Sequence, residues 1–241
     1  MEGFVLKKIS LLIAVLVSIG VTVGAHSANA ASKDSPTVVT NETLTTDGTS
    51  RNFLPTGTEP LYSKVPVSKS AKVLTKADAL KTLAATSDSG QTYFRGYRAA
   101  QTSQGKWYLK VVSFDKTHRG WVYVGTTDPT SDPTIAGGGL KFVHTFVEGT
   151  LDPVVQSTTF YFTTPKTPTL TYTAPDYTQY KVGRNMTSTL DYYKDPLKVT
   201  AVGSKQNGRG ANAKYYYVTD TSHPQVNGWV AQTEVSTNPP K

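Results

Sequence analysis

Two stretches decide the fold: KWYLKVVSFDKTHRGWV at residues 106–122 and KYYYVTDTSHPQVNGWV at residues 214–230. The second stretch lies 108 residues after the first throughout, with no gap. Each begins with a lysine followed by aromatic residues, and each has a Gly-Trp-Val triplet fourteen residues after that lysine. Chance alignment of a Gly-Trp pair would not also align the lysine and the aromatics. The repeat predicts two similar units, each with an aromatic-rich strand, a turn and a second strand.

The residues before each stretch also favour strands. Residues 93–98 (YFRGYR) and 197–202 (LKVTAV) alternate in a way typical of strands, and polar residues with Gly and Asn follow at 102–105 and 206–210. Charged residues are 17% of the chain, and Thr, Ser and Tyr are frequent. We predict an all-β fold of two small barrel modules in tandem. One short helix is expected at residues 75–85, where apolar residues recur at helical spacing.

The first thirty residues have the features of an export signal. Lys7 and Lys8 precede an apolar run at residues 9–23, and Ala28-Asn29-Ala30 is a small-x-small cleavage site. The apolar run is shorter than the roughly twenty residues that span a membrane. We expect a signal peptide at residues 1–30 that is cleaved after Ala30, with no membrane span in the mature chain.

The rest of the chain is divided by composition. Residues 31–56 are polar and lack periodicity, which is typical of a flexible leader. Residues 140–147 and 158–163 are candidate strands that could pair with each other, and the Pro/Thr tract at 164–169 indicates a stiff linker. We predict four segments: a flexible leader at 31–56, a first module at 57–126, a β-rich connector and linker at 127–166, and a second module at 167–241.

Charge and cysteine content bound the function. The formal net charge is +8, and residues 57–125 hold eleven Lys and Arg against four Asp and Glu. A basic protein outside the cell attracts phosphate and carboxylate polymers through a field that salt screens. The chain has no cysteine, so disulfides cannot stabilise it. This composition suits the exterior of a Gram-positive cell.

Basic and aromatic residues interleave on the predicted strands. Arginine gives planar, two-pronged hydrogen bonds to phosphate, lysine acts as a point charge, and outward tyrosines can stack on sugars. The alternative is an ordinary solvated surface. The candidate ligand-binding residues for an anionic polymer are Arg95, Arg98, Lys106, Lys110, Lys116, Arg119, Tyr97, Tyr108, Lys198, Lys214 and Tyr216. Trp121 and Trp229 are interpreted as core residues in preference to a ligand-stacking surface.

Catalytic and metal-binding patterns are weak. No cysteine nucleophile, paired-histidine motif or clustered carboxylates occur in the sequence. We therefore expect no enzyme, no cofactor and no metal. The isolated candidates are His118, His144 and His223, together with the loop acids Asp128, Asp132 and Asp152, which could form at most a weak cation site. Basic and aromatic strands could also bind single-stranded nucleic acid, but the export signal argues against that partner.

Residues 93–125 (YFRGYRAAQTSQGKWYLKVVSFDKTHRGWVYVG) carry a family resemblance. They resemble the surface-layer and surface-layer-like proteins of lactobacilli, which have GW-type repeats related to bacterial SH3-like barrels. The second repeat is similar, and the resemblance covers roughly residues 55–236. It implies two SH3-like modules that hold a protein on the cell wall through teichoic acid, lipoteichoic acid or related polymers. A large lattice-forming region has no counterpart in this sequence.

Three functions follow as hypotheses. The first is a secreted cell-surface protein bound non-covalently to the Gram-positive wall, because neither Leu54-Pro55-Thr56-Gly57 nor the C-terminal segment matches a covalent anchoring signal. The second is a structural component that assembles with itself or with other surface-layer proteins, or an adhesin to host surfaces. The third is an accessory or hydrolytic enzyme, for which the sequence offers no catalytic group.

Overall fold

The structure is a computed structural model, and it describes residues 35–85, 93–163, 171–183, 185, 188–206 and 212–241. Fourteen strands and two short α-helices occur in this part of the chain, and every pairing of strands is antiparallel. The all-β prediction is therefore confirmed. Among these residues there is no helix with the length and apolar character that a membrane crossing requires.

The first sheet has eight strands. They are β1 (Val38–Thr43), β2 (Asn52–Pro55), β3 (Leu61–Tyr62), β4 (Val73–Thr75), β5 (Phe94–Thr102), β6 (Trp107–Ser113), β7 (Arg119–Gly125) and β8 (Leu140–Phe142). Their order is β4-β3-β7-β6-β5-β2-β8, and β1 also pairs with β5. Helix α1 (Ala77–Ala85) follows β4 and buries Leu80 in the core, which confirms the helix predicted at residues 75–85.

The second half of the chain forms a four-stranded sheet and a two-stranded one. The strands are β9 (Phe146–Gly149), β10 (Tyr161–Phe162), β11 (Lys198–Lys205), β12 (Lys214–Thr219), β13 (Gly228–Ala231) and β14 (Val235–Ser236). The larger sheet has the order β13-β12-β11-β9, and β10 pairs with β14. Helix α2 (Pro153–Ser157) lies between β9 and β10, and 3-10 turns occur at Leu190–Tyr192, Pro224–Val226 and Gln232–Glu234.

The sequence repeat recurs as a repeated backbone pairing. Tyr62 pairs with Trp121 in the first sheet, and Tyr172 pairs with Trp229 in the second. A Cβ atom at the glycine before Trp121 would lie 2.5 Å from the Tyr62 carbonyl oxygen, and one at Gly228 would lie 2.8 Å from that of Tyr172. Only glycine allows this approach of two backbones, which explains why Gly-Trp occurs in both repeats.

Both repeat tryptophans are buried, as the core interpretation predicts. Trp121 is 6% exposed and packs with Tyr108 on one face of the first sheet, opposite the main core around Phe53 and Leu109. Trp229 is 7% exposed and lies edge-on to Phe146, with ring centroids 4.9 Å apart. Neither ring is available as a flat ligand platform.

The predicted flexible leader at residues 31–56 is wrong over its described part. Strand β1 pairs with β5 over Val38–Thr43, and β2 pairs with both β5 and β8. Leu44 is 2% exposed and Phe53 is fully buried in the first core. Burial of these two apolar side chains stabilises the fold and holds the segment in place. The first unit therefore begins well before residue 57.

The predicted pairing inside the connector at 127–166 is also wrong. Strand β8 pairs with β2 and is the last strand at one edge of the first sheet, so that unit extends beyond residue 126. Strand β9 pairs with β11, and β10 pairs with the final strand β14. The connector therefore divides between the two sheets because its strands find their partners outside it. The signal peptide at 1–30, the linker at 164–169 and the turn at 207–210 lie outside the described residues.

Candidate anion-binding cleft

A cleft of about 300 Å³ lies between strands β5 to β7 and the segment at residues 179–181. Four of its seven lining side chains are cationic and two are tyrosines. The lining residues are Arg51, Arg95, Tyr97, Val112, Arg119, Tyr180 and Lys181, and we call this site the basic cleft.

Arg51 reaches the basic cleft from the end of a 3-10 turn at Gly48–Arg51. The carboxylate of Asp47 caps that turn by accepting from the amide and the hydroxyl of Thr49, at 2.7 and 2.6 Å. The guanidinium of Arg51 donates to the Leu44 carbonyl oxygen at 2.7 Å. Partial burial lowers the pKa of Arg51, and the nearby Asp47 opposes that effect.

Arg95 forms the inner wall. Its Nε donates to Asn52 Oδ1 at 3.0 Å, and its guanidinium also donates to the side-chain oxygen of Gln179. The pKa of Arg95 is lowered to about 10, mainly by burial and then by repulsion from Arg51, while Asp47 opposes both effects. Arg95 therefore remains charged at neutral pH, although its hydrogen-bond acceptors are neutral.

A buried polar network holds the opposite wall against the first sheet. Asn52 Nδ2 donates to Thr145 Oγ1 at 3.0 Å and to the Thr178 carbonyl oxygen at 3.2 Å. The Thr145 hydroxyl donates to the same carbonyl at 2.6 Å. All three residues are buried. Because buried polar groups are stable only when paired, this network fixes the segment that carries Tyr180 and Lys181.

Tyr97 lies at the centre of the cations. It is the bulged residue where the register of β5 against β6 shifts between Gly96 and Arg98. The Arg119 guanidinium carbon lies 5.7 Å from the Tyr97 ring centroid and Lys110 Nζ lies 5.9 Å from it, which is cation–π distance. Burial raises the pKa of Tyr97 and Arg119 opposes that rise, so the phenol stays neutral and can donate a hydrogen bond.

Tyr180 and Lys181 complete the cleft from the second half of the chain. Lys181 Nζ lies 5.5 Å from the Tyr180 ring centroid. Tyr177 and Lys181 both have left-handed backbone conformations, with φ of 59° and 61°. Such conformations are uncommon outside glycine and persist only where packing imposes them. Thr178, which lies between them, is buried.

Within the described residues, no cation of the basic cleft forms an ion pair with a carboxylate. In the part of the chain that the structure describes, ion pairs join Lys205 to Asp176 and His223 to Asp195 and Asp220. None of these pairs involves a cleft residue. The positive charge of the cleft is therefore available to a ligand, with Asp47 as a weak counter-charge beside Arg51 and Arg95.

The structure separates the remaining candidates of the first unit. Arg98 is held by β1, because its guanidinium donates to Asn41 and Thr43 side chains at about 3 Å. Lys106 and Tyr108 line a different depression that also contains Glu59, and burial, with Tyr62 and Glu59, raises the pKa of Tyr108 to about 12. Lys116 is exposed on the β6–β7 turn, beside Asp115 and Asp176.

The candidates of the second unit lie elsewhere. Lys198 Nζ donates to the Ser157 carbonyl oxygen at 3.0 Å, at the end of helix α2. Lys214 and Tyr216 line a groove of about 500 Å³ beside β9, where the buried Tyr216 hydroxyl accepts from Gln232 at 2.7 Å. Of the predicted binding residues, Arg95, Tyr97 and Arg119 line the basic cleft and Lys110 lies beside Tyr97, whereas none of the bases predicted in the second unit lines it.

Besides the apolar Val112, three polar residues of the basic cleft were not among the predicted binding residues. Arg51 lay in the segment assigned as leader, and Tyr180-Lys181 lay outside the aligned parts of the repeat. The Tyr-Lys dipeptide has the same aromatic-basic character as Tyr97-Arg98, which is the only signal that could have drawn attention to it.

The loop acids and histidines also differ from expectation. Asp128, Asp132 and Asp152 do not form a cation site with one another. Each carboxylate instead accepts a hydrogen bond from the backbone amide two residues later. Instead, Asp195, Asp220 and His223 lie together, with one ligand atom of each within 4.8 Å of the others. The positions of these three residues in the sequence match no metal-binding motif, so the sequence gives no signal for the cluster.

Comparison with known proteins gives little. No protein-family model matches the chain, and no curated protein is similar to it. Among solved structures, the chain is similar to a candidate autolysin from Listeria monocytogenes, with a TM-score of 0.33 and 11% identity. The match covers 83% of this chain and 66% of that structure, so this chain spans just under two thirds of that protein's length. A TM-score this low supports no conclusion on fold or activity, so function is inferred from the chemistry of the basic cleft itself.

Proposed function

We propose that this is an exported cell-surface protein that attaches non-covalently to the Gram-positive cell wall by binding an anionic polymer such as teichoic or lipoteichoic acid. The two repeats are, in this proposal, SH3-like modules. The basic cleft of the first unit is the principal polymer site. The proposal includes no catalytic step, no cofactor and no nucleic-acid ligand.

One observation carries the proposal: four cations line the basic cleft, and none forms an ion pair with a carboxylate in the described residues. Clustered cations repel one another, as the lowered pKa of Arg95 reflects in part. A protein gains nothing in stability from such a cluster. A polyanion that entered the cleft would relieve the repulsion and neutralise the charge.

The side chains suit a phosphodiester better than a simple ion. Arg119 and Lys181 are exposed at the rim, and Arg51 and Arg95 lie deeper, so successive phosphates of one chain could meet different cations. Guanidinium groups bind phosphate oxygens with two parallel hydrogen bonds, each contributing about 1.5–3 kcal/mol when charge-assisted. Tyr97 and Tyr180 offer ring surfaces to the polyol or sugar between phosphates.

A matched pair of double variants tests the proposal. Arg119→Gln with Lys181→Gln removes two exposed cations of the basic cleft, whereas Lys69→Gln with Lys72→Gln removes two exposed cations outside it. Sedimentation with isolated walls should show at least about tenfold weaker binding for the cleft variant, equivalent to ~1.4 kcal/mol. The control should bind within about twofold of wild type, because scattered surface charge acts weakly at physiological salt.

The polymer is identified by treating the walls. Binding should fall when teichoic acid is stripped from them, and it should fall with rising salt as the Debye length shrinks from about 10 Å at 0.1 M to 3 Å at 1 M. Undiminished binding to stripped walls, or in molar salt, would contradict the proposal. Equal losses in the two double variants would reduce it to net-charge attraction. A clearing band on a peptidoglycan gel would contradict the absence of catalysis.

Self-assembly into a surface layer is the second candidate, and the edge of the first sheet favours it. Strand β4 ends the sheet order, and its Val73 and Leu74 are 50% and 53% exposed. An exposed apolar edge strand can pair with another molecule. Concentration-dependent growth in light scattering of the purified protein without wall material would support this candidate, and a monomer at all concentrations would exclude it.

A further inference from the structure

Three side chains of the second unit meet at one end of its four-stranded sheet. His223 Nδ1 lies 2.8 Å from Asp195 Oδ2 and 3.6 Å from Asp220 Oδ2. Asp195 lies in the turn before β11, and Asp220 and His223 lie in the loop between β12 and β13. Asp195 precedes Asp220 by 25 positions and His223 by 28, so the β11–β12 hairpin is what brings it to the other two.

The backbone holds the Asp220 carboxylate in one orientation. Asp220 directly follows β12, and its Oδ1 accepts from the amides of Ser222 and His223 at 2.7 and 3.0 Å. Its own amide donates to Asn227 Oδ1 at 2.7 Å. Oδ1 is thus satisfied by the loop, and Oδ2 is directed at His223 and Asp195.

That second oxygen has no donor. Asp220 is 1% exposed, and its Oδ2 is buried with no hydrogen-bond partner in the described residues. A buried carboxylate oxygen without a donor or cation is strongly unfavourable. The proton of His223 Nδ1 cannot supply it, because at 2.8 Å that nitrogen is already bonded to Asp195 and lies too far from Asp220.

We propose that Asp195, Asp220 and His223 bind a divalent transition-metal ion, with Zn²⁺ as the reference ligand. Two carboxylates and a neutral imidazole would together balance a charge of +2. Zinc binds histidine nitrogen at about 2.0–2.1 Å and carboxylate oxygen at about 2.0–2.2 Å, which places tetrahedral ligands about 3.4 Å apart. The separations of 2.8 and 3.6 Å bracket that spacing.

The ligand set selects among cations. Imidazole favours zinc and its neighbours, whereas calcium and magnesium prefer all-oxygen sites. The His223 and Asp195 side chains are 43% and 24% exposed, so one side of the site is open to solvent and could admit a water ligand. A bound ion would tie the β12–β13 loop to the turn before β11. The role inferred is structural, and it is independent of the polymer site proposed above.

The test uses purified protein without a histidine tag, freed of metal with a chelator. Isothermal titration with ZnCl₂ should show one site. A hundredfold excess over Kd should raise Tm by about 5–10 °C, whereas MgCl₂ and CaCl₂ should not. His223→Ala and Asp195→Asn, both at partly exposed side chains, should each weaken zinc binding at least about tenfold. His118→Ala, in the corresponding hairpin of the first sheet, should bind zinc as wild type does.

Each outcome of these measurements either supports or overturns the zinc site. A one-site isotherm lost in the two cluster variants and kept in His118→Ala supports the site, even where wall binding is unaffected. The absence of a zinc isotherm in the wild type, or a Tm response equal in all variants, would overturn it and leave His223 as a simple ion-pair partner. Chelator lowering the Tm of protein as purified, followed by recovery with zinc, supports the site without any variant.

Discussion

The hairpin of β6 and β7 and the hairpin of β12 and β13 align in sequence, but they differ in register by one residue and in chemistry: Lys110 pairs with Trp121, whereas Val218 pairs with Gly228. Lys110 and Arg119 of the first hairpin flank the ring of Tyr97. At the positions 108 residues later stand Val218, which is fully buried, and Asn227, which accepts from the Asp220 amide. The first hairpin therefore presents cations, and the second turns the same positions toward its own core and loop.

Two bases of the second unit, Lys205 and Lys198, serve its own structure. Lys205 is 3% exposed and pairs with Asp176, which also accepts from the Tyr215 hydroxyl. Burial raises the pKa of Tyr215, and its hydrogen bond to Asp176 adds to that rise. Lys198 is bonded to the end of helix α2. A repeated sequence does not repeat a binding site, because the shared Gly-Trp contact constrains only the residues where the two backbones approach.

The largest loss of stability is expected from substitutions in the two apolar cores, because both units depend on such a core. Phe53 on β2 is fully buried in the core of the first unit, and Phe162 on β10 is 1% exposed in the core of the second. We expect Phe53→Ala and Phe162→Ala each to lower the free energy of unfolding by about 3–5 kcal/mol, measured by urea denaturation. Val39→Ala, at a residue 57% exposed on β1, should cost under about 0.5 kcal/mol. If Phe53→Ala left the free energy of unfolding unchanged, the prediction of a flexible leader at residues 31–56 would stand.

A somewhat smaller effect is expected at the shared Gly-Trp step. Gly120→Ala would place Cβ 2.5 Å from the Tyr62 carbonyl oxygen, and backbone atoms cannot move aside as a side chain can. We expect a loss of about 2–3 kcal/mol in unfolding free energy, by the same denaturation measurement. Gly137→Ala is the control, because its Cβ would meet only the Val124 carbonyl oxygen, at 3.8 Å. Equal stability of the two variants would show that the repeat is not maintained by this contact.

The Gly-Trp repeat, the short helix and the hairpins were predictable from sequence because each has a local signal. Strand β1 had none. Its residues are almost all exposed on both faces, so no alternation of apolar and polar residues marks it. Its position is instead fixed by pairing with β5 and by the Arg98 guanidinium, which donates hydrogen bonds to Asn41 Oδ1. Such a strand is defined by its partner, and a polar composition alone could not distinguish it from a leader.

The basic cleft was only half predictable, for a related reason. Arg95, Tyr97 and Arg119 are neighbours in one hairpin, and their common character was visible in sequence. Arg51 and Lys181 are separated by most of the described chain and meet only because the network around Thr178 docks one segment on the other. The cluster around Asp220 is similar: its members have ordinary spacing and become neighbours through strand pairing.

A direct exchange between the units is expected to change binding by an intermediate amount. Arg119→Asn gives the first hairpin the residue that the second has at Asn227, and the side chain is exposed, so stability should change by under about 0.5 kcal/mol. Wall binding should weaken about tenfold, or ~1.4 kcal/mol, through loss of one charge-assisted contact. Lys116→Asn removes the same charge from an exposed turn outside the basic cleft and should bind within about twofold of wild type. Equal losses would mean that the hairpins differ in net charge alone.

The smallest effect concerns the capped turns that precede β2 and β10. Asp47 and Asp152 each accept from the amide two residues later, at 2.7 Å, so Asp47→Ala and Asp152→Ala should each cost about 0.5–1 kcal/mol of stability. Only the first turn ends on a cleft residue, Arg51. Asp47→Ala should therefore also change wall binding, through the position of Arg51 and the loss of the counter-charge beside it, while Asp152→Ala leaves binding unchanged.

The pH dependence of this cap has a definite sign. The Thr49 hydroxyl, and then its amide, favour the charged carboxylate and lower the pKa of Asp47 below its ordinary value of 3.8. The stabilisation is therefore complete above pH 3.8 and is lost as pH falls through the lower folded value. The stability difference between wild type and Asp47→Ala should be constant at neutral pH and shrink below pH 3.8, in urea melts of both proteins. If the stability difference between wild type and Asp47→Ala grew on acidification, the turn would be stabilised by the neutral form of Asp47. The charged cap could then not be what positions Arg51 in the basic cleft, a feature that the second unit lacks.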